Sequence, residues 1–131
     1  MKQLGILFVF SFIFILGSCS SSNSKLIGTW KVKSVQTHFG DENLPPAVIT
    51  HIKNEQKKLS FKIVNDSVIV FMMDNNTHEG HYTLNPNSKV ITYSFTGQNE
   101  FKNKLGFWNG SEIINDTKTP LGNLTVTFSK Q

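Results

Sequence analysis

The chain has 131 residues, 13 lysines, no arginine, nine acidic residues and one cysteine. This length suits a single domain, and one cysteine excludes both an intramolecular disulfide framework and a four-cysteine zinc site. The lysines are scattered, and arginine, which makes most bidentate phosphate and guanine contacts, is absent, so we expect no nucleic-acid partner.

Residues 1–18 have the pattern of a cleavable targeting segment. Lys2 supplies a short positive start, and residues 6–16 form an apolar run of about eleven residues, which suits a signal-peptide core and is too short to span a bilayer as a helix. The run ends in Leu-Gly-Ser-Cys at 16–19, which resembles the lipobox of bacterial lipoproteins. The alternatives are an ordinary secretory signal or a short membrane anchor.

By that resemblance, Cys19 becomes the first residue of the mature protein and its sulfur carries a diacylglycerol. Two or more acyl chains give stable membrane anchoring, and the polar residues that follow predict a flexible tether, so that 19–24 are lipidated cysteine and tether. Residues 25–131 form the folded domain. We expect the protein to be lipid-anchored in the bacterial cell envelope, at the outer membrane, on either its periplasmic or its outer face. Without the signal peptide, the mature chain keeps 12 lysines against nine acidic residues.

The folded part carries short strand signals separated by turn residues. Period-two alternation is complete at 124–128, and Asn109-Gly110 is a strong hairpin dipeptide. Consecutive hairpins at this spacing predict an antiparallel meander, and closure of eight strands removes the exposed edges. We therefore predict an all-β fold, an antiparallel up-and-down β-barrel of about eight strands, with an open sandwich as the alternative. The predicted strands are 29–37, 59–63, 67–73, 79–84, 89–95, 100–108, 111–115 and 124–128.

One segment, residues 46–59, breaks the strand pattern. Val48, Ile49 and Ile52 recur at helical spacing, and Pro45-Pro46 suits a helix start, where a missing N–H costs nothing. This predicts one short helix between strands 1 and 2, lying across one end of the barrel. Its apolar stripe indicates packing, and its position makes it a candidate lid.

The start of the domain reads Leu-Ile-Gly-Thr-Trp-Lys at 26–31, with Gly28 and Trp30 opening the first strand. This Gly-x-Trp is similar to the opening of lipocalins and fatty-acid-binding proteins, and together with the lipoprotein signal the chain resembles small lipocalin-like lipoproteins of Bacteroidota. Gly28 permits close approach or positive φ, and Trp30 fills the barrel floor with an N–H that needs a buried partner. Lipocalins pack an arginine over this tryptophan; here Lys130 substitutes or the cation is missing.

The barrel interior determines the expected function, since eight strands leave room either for packed side chains or for one small ligand. We expect a small hydrophobic or amphipathic ligand; the alternative is a filled barrel that acts as a protein–protein interaction module of the envelope or cell surface. Interior volume separates the two. The candidate lining residues are Phe61, Ile63, Phe71, Tyr82, Tyr93, Phe95 and Phe128.

The one local cluster of metal-ligand residue types is His78, Glu79 and His81, near Asp74. On a strand, His78 and His81 face opposite sides, so we expect no metal site and no cofactor. No nucleophile elbow or comparable setting surrounds any serine or histidine, so we expect no enzymatic activity.

Overall fold

The structure, a computed structural model, describes residues 22–40, 44–97 and 101–131. Within these residues it contains a 3-10 helix (Ser22–Leu26), one α-helix, α1 (Pro46–Lys57), and eight strands. The strands are β1 (Gly28–Phe39), β2 (Ser60–Ile63), β3 (Val68–Met73), β4 (Asn76–Leu84), β5 (Val90–Phe95), β6 (Asn103–Trp108), β7 (Glu112–Thr119) and β8 (Gly122–Lys130).

The eight strands form a closed barrel in which each strand pairs antiparallel with its neighbour in sequence. β8 returns to β1, so that Val35 lies opposite Val126 and Val32 opposite Phe128. The predicted all-β up-and-down barrel and its helix between the first two strands are confirmed, and the open sandwich is excluded. Closure removes the unpaired edges that an eight-stranded meander would otherwise expose.

Period-two patterning explains which side chains enter the core. On β8, Leu124, Val126 and Phe128 are buried, and the residues between them are partly exposed. Each strand turns one face inward because successive Cβ atoms point to opposite sides of a sheet. The buried core therefore follows the sequence alternation.

The strands alternate in direction, which gives the barrel two different ends. One end, which we call the closed end, holds the 3-10 helix and the connections β2–β3, β4–β5 and β6–β7. The open end holds α1 and the connections β3–β4, β5–β6 and β7–β8. The most deeply buried large side chains, with the exception of Phe61, lie towards the closed end. The full set is Leu26, Trp30, Phe61, Ile63, Ile69, Ile91 and Ile113.

Trp30 organises the closed end. Its indole N–H donates to the carbonyl of Leu26 over 2.8 Å, and its ring stacks on Phe61 with centroids 6.2 Å apart. Leu26 is completely buried. The tryptophan therefore fills the floor of the barrel and holds the 3-10 helix beneath it.

Lys130 completes this floor from the last strand. It lies opposite Trp30 in the β1–β8 register, and its ammonium donates to the carbonyls of Lys25 at 2.9 Å and Ile27 at 3.3 Å. Its aliphatic stem passes so close to Gly28 that a Cβ there would lie 2.7 Å from the Lys130 Cδ, and Gly28 has a φ of 145°. Only glycine adopts that conformation at little cost.

The 3-10 helix begins inside the segment predicted as a flexible tether. Residues 22–24 belong to this helix, which starts three residues before the predicted domain boundary at residue 25. Cys19 and the predicted signal segment, residues 1–18, lie outside the described residues. Across the three described segments, no helix has the length and apolar character needed to cross a membrane.

Candidate functional site: a cavity in the open half of the barrel

A cavity of about 230 Å³ lies inside the open half of the barrel. Six of the eight strands, all except β1 and β4, contribute to its wall together with the end of α1. Its lining residues are Gln56, Leu59, Phe61, Phe71, Tyr93, Lys104, Leu105, Asn115, Thr117, Leu124, Val126 and Phe128.

One side of the cavity is aromatic. The Phe61 ring lies 5.1 Å from that of Phe128 and 5.9 Å from that of Phe71, and Phe71 lies 4.7 Å from Tyr93. These tilted and edge-on arrangements are the ones that aromatic quadrupoles favour. Because Phe61 also stacks on Trp30, the cluster joins the barrel floor to the cavity wall.

The opposite side is polar because β6 and β7 separate there. Their ladder consists of two residue pairs, Phe107 with Ile114 and Trp108 with Ile113. Beyond these pairs β6 still pairs with β5 but has no ladder with β7, and a buried carbonyl without a partner costs free energy. The separation therefore needs a side chain to replace the missing ladder.

Asn115 supplies that replacement. Its side-chain NH₂ donates to the carbonyls of Leu105 at 2.9 Å and Lys104 at 3.2 Å. The Thr117 hydroxyl donates to the Asn115 amide oxygen and holds the amide in this orientation. Two polar side chains on one strand thus bridge the gap and give the cavity a polar edge.

α1 borders the cavity from the side of β1. Along β1, only the first four residues, Gly28–Lys31, pair with β2. α1 also packs against β1. No residue of α1 is fully buried, but Ile52 and the following Leu59 are partly buried against the core. The helix ends at Lys57, two residues before the predicted end, and Gln56 lines the cavity.

Tyr93 is the titratable phenol of the cavity wall. Burial raises the pKa of its hydroxyl above the ordinary value of 10, since the anionic form would lose hydration. Its ring also contacts Phe95 with centroids 5.6 Å apart. The neutral phenol therefore offers a hydrogen-bonding group on an otherwise apolar wall.

The predicted lining residues fall into three places. Phe61, Phe71, Tyr93 and Phe128 line the cavity. Ile63 and Tyr82 lie in the core towards the closed end, where the Tyr82 hydroxyl donates to the Asn65 carbonyl at 2.7 Å. The remaining residue, Phe95, lines a wider and more open depression of about 740 Å³ at the open end, with Met73, Thr77, His78, Glu79 and Thr96.

Several lining residues were missed by the sequence reasoning. Leu124 and Val126 carried a usable signal, because they alternate with polar residues on the last strand. Asn115 and Thr117 share an inward face with Ile113, as their pairing with Val126, Leu124 and Phe128 shows, but polar residues are not expected inside. No pattern in the sequence marked the gap that they bridge.

Of the predicted histidine cluster, His78 and Glu79 line the open depression and His81 does not. His78 is opposite Phe71 in the β3–β4 register, and its ring lies 6.3 Å from Phe95. His81, which is opposite Val68, follows His78 by three residues on the same strand. Because this number is odd, the two histidines lie on opposite faces. Among the described residues, no three His, Cys, Asp or Glu side chains lie close enough to hold a metal ion.

Comparison with protein-family models, with curated proteins and with solved structures finds no match to this chain. The architecture itself, a closed antiparallel barrel of eight strands with one helix, is compatible with a lipocalin-like fold.

Proposed function

We propose that this protein is a membrane-anchored lipoprotein of the bacterial cell envelope that binds a small hydrophobic or amphipathic ligand in the open half of its barrel. The observation that carries the proposal is the cavity of about 230 Å³. A barrel that served only as a scaffold would gain stability by filling this space, because an empty cavity forfeits packing contacts.

The volume limits the ligand. Since a water molecule occupies about 30 Å³ in the liquid, the space corresponds to roughly eight waters, below the range typical of drug-sized ligands, ~300–1,000 Å³. This suits a compact apolar molecule or the end of a longer chain. Phe61, Phe71 and Leu124 supply apolar contacts, and Tyr93 and Asn115 supply hydrogen-bonding groups.

A cavity-filling pair of variants tests the site. Val126 lines the cavity, whereas its neighbour Thr127 lies on the opposite face of β8. Titration with N-phenyl-1-naphthylamine, an uncharged apolar fluorophore, should show saturable binding to the unmodified protein and to Thr127→Phe. Val126→Phe should weaken that binding at least tenfold, because the added ring occupies the space. Equal binding by both variants would place the fluorophore elsewhere and contradict the proposal.

Native mass spectrometry identifies the ligand class. The protein, incubated with an extract of envelope lipids and metabolites, should retain a discrete adduct that denaturation releases, and Val126→Phe should not retain it. A bare polypeptide under all gentle conditions would count against ligand binding. The same instrument tests the anchor, because a diacylglyceryl group on Cys19 adds a defined mass that Cys19→Ser abolishes.

A second candidate function is protein–protein interaction through the open end. Four large apolar side chains are exposed there, on α1 and at all three strand connections, and their exposed fractions run from 37% to 67%. They are Val48, Met73, Phe101 and Leu121. In this case Phe101→Ser and Met73→Ser would abolish crosslinking to an envelope protein, while fluorophore binding in the cavity would remain.

A further inference from the structure

Charge is unequally divided between the two halves of the barrel. The closed half carries five lysines, on the 3-10 helix, the first two strands, the β4–β5 turn and the end of β8. The acidic residue of this half is Asp66, in the β2–β3 turn. Lys33 and Glu112 on the side wall form an ion pair with no net charge, in which the Lys33 Nζ lies 2.6 Å from the Glu112 Oε2. The five lysines are Lys25, Lys31, Lys62, Lys89 and Lys130.

The open half has no comparable excess. Its six lysines are Lys53, Lys57, Lys58, Lys102, Lys104 and Lys118, and its described acidic residues are Glu55, Asp74, Glu79 and Asp116. Among the described residues, lysines outnumber acidic residues by four in the closed half, outside the neutral pair, and by two in the open half. The positive charge of the described residues is therefore greater towards the closed end.

The chain also enters the barrel at the closed end. The 3-10 helix begins at Ser22 and is held by the bonds from Trp30 to Leu26 and from Lys130 to Lys25. Two residues, Ser20 and Ser21, separate Ser22 from Cys19. At a maximum of about 3.6 Å per residue, Cys19 lies within roughly 11 Å of the structured chain.

We propose that the closed end docks on an anionic lipid bilayer and that the open end, with the cavity, faces away from that membrane. This rests on the proposed lipid anchor at Cys19. A span of roughly 11 Å is comparable to the Debye length of ~8 Å at physiological ionic strength, so the lysines act on the surface potential of anionic headgroups. Ile27 and Val64, 40% and 43% exposed at the same end, add apolar contact.

This orientation has a consequence for ligand exchange. A cavity that opens away from the anchoring membrane receives its ligand from the aqueous side or from a partner there, and lateral entry from the anchoring bilayer is excluded. The exposed apolar residues around the open end, Val48, Met73, Phe101 and Leu121, then face the medium from which the ligand comes.

Two matched single-cysteine variants measure the orientation. Asn87 lies in the closed-end β4–β5 turn and Asn75 in the open-end β3–β4 turn, and both are exposed. Asn87→Cys and Asn75→Cys, expressed as the full chain in a bacterium and checked by mass for lipid on Cys19, provide one free thiol each. Each protein is labelled with a fluorophore and reconstituted in phosphatidylcholine vesicles with or without phosphatidylglycerol. A spin-labelled headgroup lipid serves as quencher.

The label at position 87 should be quenched several-fold more strongly than the label at 75, and the excess should require phosphatidylglycerol and fall at high salt. Combining Lys25→Gln, Lys31→Gln and Lys62→Gln should remove that dependence, whereas the matched set Lys57→Gln, Lys102→Gln and Lys118→Gln at the open end should retain it. All six side chains are exposed, so neither set disturbs the core.

The outcomes separate this proposal from the one on which it rests. A purified chain without lipid on Cys19 overturns the anchor and the orientation together. A lipidated chain that shows stronger quenching at position 75, or an equal effect of the two lysine sets, overturns the orientation alone and leaves the anchor intact.

Discussion

The two halves of this barrel are built from the same alternating strands, but only one of them is filled. In the closed half, Trp30 and Ile63 have 1% or less of their surface exposed, and the Trp30 N–H is bonded to the chain beneath it. In the open half, Phe71, Tyr93 and Phe95 are only partly buried, and a cavity separates the aromatic wall from Asn115. Period-two patterning therefore sets which residues face inward, and the size and partners of those residues decide whether the interior is packed.

The turns differ in the same way. All three strand connections at the closed end contain an asparagine whose side-chain oxygen accepts two backbone N–H groups within 3.0 Å. These are Asn65, Asn85 and Asn109. Such bonds mimic a backbone turn and fix the direction of the chain. At the open end, Thr119 makes the only comparable side-chain bonds within a described turn, with Leu121 and Gly122.

The comparison is tested most strongly by removing one aromatic side chain from each half. Trp30→Ala should lower the free energy of unfolding by about 3–5 kcal/mol, since it leaves a large cavity in a packed region. Phe95→Ala should cost only about 1–2 kcal/mol, because its ring is already partly exposed. Chemical denaturation measures both. If Trp30→Ala prevents folding, Trp30→Phe should cost less and still exceed Phe95→Ala, since it leaves the buried Leu26 carbonyl without its donor.

The bridge across the gap gives the next largest effect. Asn115→Ala removes the amide that donates to the carbonyls of Lys104 and Leu105 and should cost about 1–3 kcal/mol. Hydrogen exchange should accelerate in β6 while β2 and β3 stay protected. Thr117→Ser is the control, because it changes the neighbouring side chain but retains the hydroxyl that donates to the Asn115 amide oxygen. Unchanged exchange in β6 would show that the strand is held by something other than Asn115.

A smaller effect is expected at the barrel floor. Lys130→Met retains the aliphatic stem beside Gly28 but removes the ammonium from the carbonyls of Lys25 and Ile27. The loss should be about 0.5–1.5 kcal/mol, as for other exposed hydrogen bonds. It should appear as faster proteolysis near residues 22–26, and Lys118→Met at the other end should have no such effect. Equal proteolysis of the two variants would contradict a holding role for Lys130.

The smallest effect concerns pH. Because burial raises the pKa of Tyr93 above its unfolded value, the unfolded chain loses this proton first as pH rises. Stability should therefore fall above about pH 10, and Tyr93→Phe should lessen that fall without changing stability at neutral pH. Difference absorbance between the two proteins isolates the titration of Tyr93 from that of Tyr82. A midpoint at or below pH 10 would contradict the burial.

Most of the fold could be predicted because it depends on local signals. Asn109-Gly110 marked a hairpin, the alternation on the last strand marked an inward face, and Gly28 with Trp30 marked the floor. The tether was predicted from composition, and the polar residues 22–24 carry no sign of the 3-10 helix that they begin. The end of that segment is held by bonds from Lys130 to the carbonyls of Lys25 and Ile27, and Lys130 lies at the other end of the chain. Contacts over that distance in sequence leave no periodic trace.

The site was only half predictable for the same physical reason. Aromatic residues that alternate on strands were assigned to the interior, but alternation does not distinguish the packed closed half, where Ile63 and Tyr82 lie, from the open half. That difference depends on where β6 and β7 separate. This separation is determined by how the two strands pair, which the sequence of neither strand shows. Asn115 bonds to the carbonyls of β6 across the gap, but in the sequence it looks like any other polar residue of a strand.

The central claim is that the open half takes an apolar guest and the closed half does not. Methyl NMR spectra recorded under xenon pressure test this directly, because xenon enters dry apolar cavities without specific chemistry. The methyl signals of Leu124 and Val126 should shift in a saturable way, while those of Ile63, Ile69 and Ile113 should stay in place. Shifts at the closed-end isoleucines, or none at either half, would contradict the account.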